Sequence, residues 1–256
     1  MLIKRPGDRR SRSRSASRTL DVLEYFGEVR RPIRAIEIVN MMGMNPSSAN
    51  QLLKTMVDSA HLLFDAKTKT YIPSPRFARF GTWIVDTYGP SDRFDELVCD
   101  IQSQTGLFVT VSTPNDLFMQ VIEMRSPSGR MAQRGVRVAL FNSAVGMAYL
   151  SALDAKEFAR LAYRARVPDA RLPSLMQEME AIRGAGHALR QSTDDPTWSI
   201  AMPVRDGRSD VPTVLGLSGP TEAVRDKAGE VFALMREATI RHLGKEALPL
   251  ERPDGS

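Results

Sequence analysis

The 256-residue chain is short of several things, and each shortage closes a class of function. Cysteine occurs once, at Cys99, so there is neither a disulfide framework nor a cysteine metal site. A single thiol of this kind is read first as a small apolar side chain. Histidine occurs three times, as His61, His187 and His242, in no spacing that suits metal ligation. No run approaches the ~18 apolar residues of a membrane span, and the basic start is not followed by the hydrophobic segment of a secretory signal. The expectation is a cytoplasmic protein with no membrane contact, no metal and no other cofactor. Glycine-flanked nucleophile elbows, phosphate loops and paired-carboxylate motifs are also missing, so no enzyme chemistry is expected.

What is present is charge in an uneven distribution. The formal net charge is +5, and residues 1–18 hold seven Lys or Arg against Asp8 alone, whereas the chain beyond Phe77 is net acidic. Residues 1–15 alternate Arg with Ser and show no apolar period, so they read as a basic disordered arm. Such an arm can follow phosphates or enter a minor groove, and a merely solvated terminus is the equal alternative. The length suggests two domains as a soft prior.

Residues 16–77 carry the clearest pattern. Leu20, Val22, Leu23 and Phe26 form an apolar stripe ending at Gly27; Ile36, Val39 and Met42 form a second ending at Gly43; Leu52, Leu53, Met56 and Val57 form a third. Asn45 can cap the third helix, and Pro46 suits its first turn, where a missing amide hydrogen costs nothing. Its outer face then offers Ser47, Ser48, Asn50, Gln51 and Lys54, side chains that bond to phosphate oxygens or base edges. Leu62 to Asp65 and Tyr71 to Ile72 follow as a hairpin with Lys67 and Lys69 at its tip, which suits contact with the sugar-phosphate backbone. This is the pattern of a winged helix-turn-helix, and the partner it predicts is double-stranded operator DNA.

The same residues resemble a known family. Ser17 to Leu23, Ala35 to Val39, Ser47-Ser48-Ala49 with Leu52-Leu53, and Tyr71 with Pro75-Arg76-Phe77 are similar to the amino-terminal domain of IclR-type transcriptional regulators. Gln51 stands where that family commonly has a basic residue. Ala60 stands where a glycine closes the third helix, and Lys67 and Lys69 replace an acidic-glycine hairpin tip.

Residues 78–90 predict a linker helix with Phe77, Phe80, Trp83 and Ile84 on a broad apolar face, stopped by Gly89-Pro90. A helix with that much apolar surface needs a partner, either a second copy in a homodimer or its own chain's second domain. Residues 91–247 alternate helices with strand-like runs. Ser91 is placed to cap the first helix. Hairpins are expected around Pro114 to Asp116 and Asp206 to Asp210, and helices over Ser143 to Leu153, Ala155 to Arg164, Leu172 to Ala185 and Thr221 to Leu243. The fold class is α+β with an antiparallel sheet, followed by a tail over residues 248–256.

The family resemblance extends through this half, on Gly135 to Val138 with Leu140, Ser143-Ala144 and Gly146, on Ser199 to Val204, and on Leu217 to Pro220. It implies a GAF/profilin-like effector-binding and oligomerisation domain whose ligand is a small organic acid, aromatic acids included. The candidate effector residues are Phe141, Asn142, Ser143, Ala144, Ser199 and Ser218, with Phe141, Trp198 and Phe108 as candidate walls. Asn142 or Ser143 would cap a helix whose first amide hydrogens suit a carboxylate, although purely local bonding of the same serines is an equal reading. Gly216 and Arg190 depart from the family pattern nearby. The resemblance implies ligand-modulated transcription control, as repressor or activator, by a homodimer whose further pairing into tetramers is open. The alternatives are a DNA-binding dimer without an effector, an RNA-binding protein driven by the arm, and a small-molecule enzyme.

Overall fold

The computed structural model describes residues 13–88, 92–127, 136–193, 196–205 and 211–248. Residues 1–12 of the basic arm, the Ser91 cap, Gly89-Pro90, the turn at 206–210, Gly135 and the tail beyond Leu248 lie outside the described residues. The last residues of the expected arm, Arg14 and Ser15, are not disordered but form the first turn of a helix. The chain divides into two compact units, one ending at Asp86 and the other running on from Thr87.

The first unit contains α1 (Arg14–Val29), β1 (Ile33–Arg34), α2 (Ala35–Met42), α3 (Pro46–Asp58), β2 (Leu62–Asp65), β3 (Thr70–Pro73) and most of α4 (Arg76–Tyr88). Ser13 caps α1, its hydroxyl accepting from the Ala16 amide at 3.3 Å, and the helix runs two residues past Gly27 to a left-handed Arg30. Gly43, at φ +59°, ends α2 in the region that only glycine enters cheaply. The three strands order as β1-β3-β2, all antiparallel.

Val22, Phe26, Ile33, Ile38, Leu52, Leu53, Met56 and Leu62 share one buried cluster. Two positions differ from the expected stripes. Leu20 is 60% exposed, and Ile36 is 55% exposed because α2 starts at Ala35 and turns Ile38 inward instead. Past α3, the His61 amide bonds to the Met56 carbonyl and the Ala60 amide to the Val57 carbonyl, each at 2.8 Å. That paired closure requires a left-handed residue, and Ala60 adopts φ 56° to supply it. An alanine there costs roughly 1 kcal/mol against glycine.

The second unit contains α5 (Asp92–Thr105), β4 (Phe108–Asn115), β5 (Phe118–Arg125), β6 (Arg137–Ala139), α6 (Ala144–Ser151), α7 (Ala155–Arg164), α8 (Leu172–Ala185), β7 (Ala188–Gln191), β8 (Trp198–Val204), β9 (Thr213–Gly219), α9 (Thr221–Val224) and α10 (Ala228–Leu243). The helix expected over Thr221 to Leu243 is thus broken into α9 and α10, with turns between them.

The strands form one antiparallel sheet ordered β6-β5-β4-β9-β8-β7. Because side chains alternate along a strand, the sheet has two distinct faces. One carries Val109, Val111, Ile200, Met202, Leu215 and Leu217, packed with α5 and α10 through Leu97, Val98, Ile101, Val231 and Met235. The other carries Met119, Ala188, Ala201 and Val214 beneath α6, α7 and α8.

Candidate DNA interface and effector site

The recognition surface starts at the α3 cap. The Asn45 carboxamide oxygen accepts from both the amide and the hydroxyl of Ser47, each at 2.9 Å. Ala49, Leu52, Leu53 and Met56 face the core, which leaves Ser47, Ser48, Asn50, Gln51 and Lys54 exposed on the opposite side. Positions 47, 50, 51 and 54 share one helix stripe by their spacing. Ser47 donates its hydroxyl proton to Asn45, which ties it to the cap. Thr55, exposed beside them, was not singled out from the sequence; its hydroxyl donates to the Gln51 carbonyl at 2.9 Å.

The wing is built on Asp65. Its carboxylate accepts from the Lys67 amide and the Thr68 hydroxyl, each at 2.8 Å, and these bonds hold it below the usual carboxylate range, the amide first. Lys69 takes a left-handed φ of 58°, and its ammonium lies 6.0 Å from the Phe64 ring centroid, a ring that itself meets Tyr71 at a tilt. Of the two predicted tip lysines, Lys69 therefore sits near the Phe64 ring. On the other flank Glu37 accepts from Arg31 at 2.6 Å and from the Arg34 amide at 2.9 Å, which lowers its pKa in that order of cause.

In the second unit, four of the six predicted effector residues lie on the approach to α6. Ser143 caps that helix: its hydroxyl accepts from the Gly146 amide at 3.1 Å and donates to the Ala139 carbonyl at 2.8 Å. The Asn142 oxygen accepts from Arg171 at 2.8 Å, and the same guanidinium nitrogen reaches the Phe141 carbonyl at 3.2 Å. Ala144 is buried in the core beneath. Phe141 is only 7% exposed and faces Phe158, with ring centroids 6.2 Å apart, so it fills the core between α6 and α7.

The remaining two, Ser199 and Ser218, are register partners on β8 and β9, and their hydroxyl oxygens touch at 2.7 Å. They share the α6 side of the sheet with Gly216, whose Cβ, if present, would lie 2.7 Å from Val145 Cγ1 and 2.9 Å from Thr110 Oγ1. The first turn of α6 therefore rests on β9 two residues from Ser218, which brings both groups of predicted residues to one face. Alternation sorts the expected walls. Trp198 packs with the α5/α10 cluster under Arg225, whereas Phe108, paired with Ser218 and 39% exposed, lies on the serine side.

Ser112, two residues along β4 from Thr110, has a fully buried hydroxyl without a hydrogen-bond partner, a feature no local sequence signal announces. A separate cavity of about 720 Å3 opens between α7 and α8, lined by Phe158, Tyr163, Met176, Met179 and Arg183 among others. It includes none of the six predicted residues. Its Arg183 is already committed to Glu180 and to the carbonyls of Ser151 and Leu153. Among the described residues no cluster of three metal-ligating side chains occurs, and no helix is long and apolar enough to cross a membrane.

Two family profiles match the chain. One described as the IclR helix-turn-helix domain matches residues 15–59, and one described as the bacterial transcriptional regulator IclR C-terminal domain matches residues 93–241. Solved structures share the fold. An IclR-type regulator from a Silicibacter species is similar with a TM-score of 0.57 at 18% identity, covering 93% of this chain and 99% of that one. An Alicyclobacillus acidocaldarius regulator gives 0.54 at 17%, covering 92% and 100%, and the Thermotoga maritima IclR gives 0.53 at 17%, covering 91% and 100%. No curated protein matches the chain.

Proposed function

The chain belongs to the IclR family of DNA-binding bacterial transcriptional regulators, and from that premise we propose that it reads an operator with α3 and the wing and that a small organic acid bound in the second unit modulates this reading. The observation that carries the DNA half is the hydrophilic exposed side of α3 in a helix whose other side is fully committed to the core. Ser48, Asn50 and Gln51 are the base readers of this proposal. Ser47, Lys54, Lys67 and Lys69 position the duplex through phosphates. The test is a genomic footprint followed by fluorescence anisotropy on the recovered operator. Replacing Ser48, Asn50 and Gln51 together by alanine is expected to lower operator affinity at least tenfold, since each lost base contact is worth about 1–3 kcal/mol. Unchanged affinity rejects the assignment.

The effector half rests on the convergence of the α6 cap with the Ser199–Ser218 hydroxyl pair on one face of the sheet. An acid preferred by one arrangement of a dimer shifts the population toward it, and so changes occupancy of two half-sites. The dimer itself is proposed from α4, where Phe80 is 59% exposed beside Trp83, with Val85 also exposed. A monomer at micromolar concentration in analytical ultracentrifugation counts against it. The proposed place of action is the cytoplasm, and the proposal assigns no catalysis. One observation favours the reading without an effector: Ser143, Asn142 and the Phe141 carbonyl already have internal partners. Thermal shift separates the two, because a ligand of the native state raises the melting temperature.

A further inference from the structure

The α6 side of the sheet carries an unusual row. Arg190 pairs in register with Ser199, Ser199 with Ser218, and Ser218 with Phe108, so one line across β7, β8, β9 and β4 presents a cation, two hydroxyls and an aromatic ring. Strands lie about 4.8 Å apart, which sets the cation about 10 Å from Ser218 and about 14 Å from Phe108 along the backbone row. The next row inward is Ala188, Ala201, Gly216 and Thr110, again in register, and it is built almost entirely of small residues. The arrangement is a shelf with a charged end and an apolar end.

The charged end already holds a carboxylate. Glu178 of α8 places both of its oxygens on a single Arg190 nitrogen, Nη2, one of them at 2.6 Å. The two side chains are 22% and 36% exposed, so the pair is partly shielded but open to exchange. The contact does not use the two-nitrogen fork with which a guanidinium matches a carboxylate most closely. In the middle of the row, two touching hydroxyls share one proton between them, and the second hydroxyl proton can point at a ligand oxygen.

We infer that Arg190 is the anion-recognition residue of the effector site, and that Glu178 is an internal carboxylate which the ligand displaces. The ligand class that fits the row is a monocarboxylic acid with an apolar or aromatic body: acid group on Arg190, an acceptor oxygen over Ser199 and Ser218, ring or chain toward Phe108. This inference rests on the effector reading above. It locates the acid group on β7 and not at the α6 terminus, where Ser143 is occupied.

The two residues make opposite predictions. Full-length protein is titrated calorimetrically with benzoate, phenylacetate and 4-hydroxyphenylacetate, and with benzamide and phenylacetamide as neutral counterparts. At least one acid is expected to bind the unmodified protein, and its amide at least tenfold more weakly. Glu178→Gln removes the competitor and is expected to tighten the acid severalfold while leaving the amide unchanged. The double variant Arg190→Gln with Glu178→Gln leaves no uncompensated charge, and is expected to weaken the acid at least tenfold, to the level of its amide. Arg190→Lys, which keeps the charge but not the fork, should fall between, and melting curves check that each variant is folded. Acid binding that survives the double variant within twofold overturns the Arg190 assignment alone and makes the pair a strut between α8 and β7. Failure of every acid to bind the unmodified protein overturns the effector reading, and the assignment with it.

Discussion

The two faces of the six-stranded sheet are built from the same strands and have opposite characters. The face under α5 and α10 is a continuous apolar layer in which Ile200, Met202, Leu215 and Leu217 are buried side by side. Across the same strands, the face under α6 and α8 alternates Gly216 and Ala201 with Ser218, Ser199 and Arg190. Period-two alternation allows one strand to do both, since each residue answers to one side only. The α6 side also has a buried apolar cluster, but within its strands it carries small side chains, a buried hydroxyl without a partner and a part-exposed ion pair.

Four measurements break or sharpen that contrast. Leu217→Ala, on the apolar face, should cost the most, about 2–5 kcal/mol of unfolding free energy in urea titration, with acid selectivity unaltered in the protein that remains folded. A loss below 1 kcal/mol means that this side is not the structural one. Gly216→Ser should cost about 1–3 kcal/mol, because the new Cβ meets Val145 and Thr110 and α6 must lift. If it is neutral, α6 is not seated on β9 as described.

Ser218→Ala should change stability by about 1 kcal/mol, the worth of one hydrogen bond, yet reduce acid binding severalfold in calorimetry. Equal effects on both readouts erase the distinction between the faces. The smallest effect is expected on the apolar side's rim. Asp100 on α5 lies below the usual carboxylate pKa, chiefly through its bond to His242 and then to Gln104 and Arg241. A carboxyl whose folded pKa is depressed stabilises above its unfolded value, near 4 in order of magnitude, and that contribution is lost as pH falls through the folded value. The urea midpoint of the unmodified protein should therefore fall on acidification through this window, and Asp100→Asn should flatten the fall.

Much of the framework was legible because its signals are local. Asn45-Pro46 announced the start of α3, Gly43 the end of α2, and α7 and α8 run over the residues their periodicity indicated. The special position at Ala60 was visible only through the family resemblance, which places a glycine there, and the chain meets it with a left-handed alanine at φ 56°. Strands β1, β6 and β7, of two to four residues, are too short to show a period and exist through their neighbours.

The candidate site was harder to read for the same reason. Ser199 and Ser218 drew notice as hydroxyls at motif positions, but their contact depends on strand register. The meeting of Arg190 with Glu178, twelve positions apart, depends on how α8 crosses β7, which the intervening sequence does not reveal. Phe141 and Trp198 were grouped with Phe108 by chemistry, and only the fold separates a core filler and an opposite-face residue from one that lies on the serine side of the sheet.

Gly146 has one more consequence. A Cβ at that position would sit 1.9 Å from the Leu140 carbonyl oxygen, so the chain leaving β6 lies flush on the first turn of α6. Two segments in such contact leave no room for a side chain between them, so any residue larger than glycine at 146 has to prise the turn away from the strand at the sheet's outer edge.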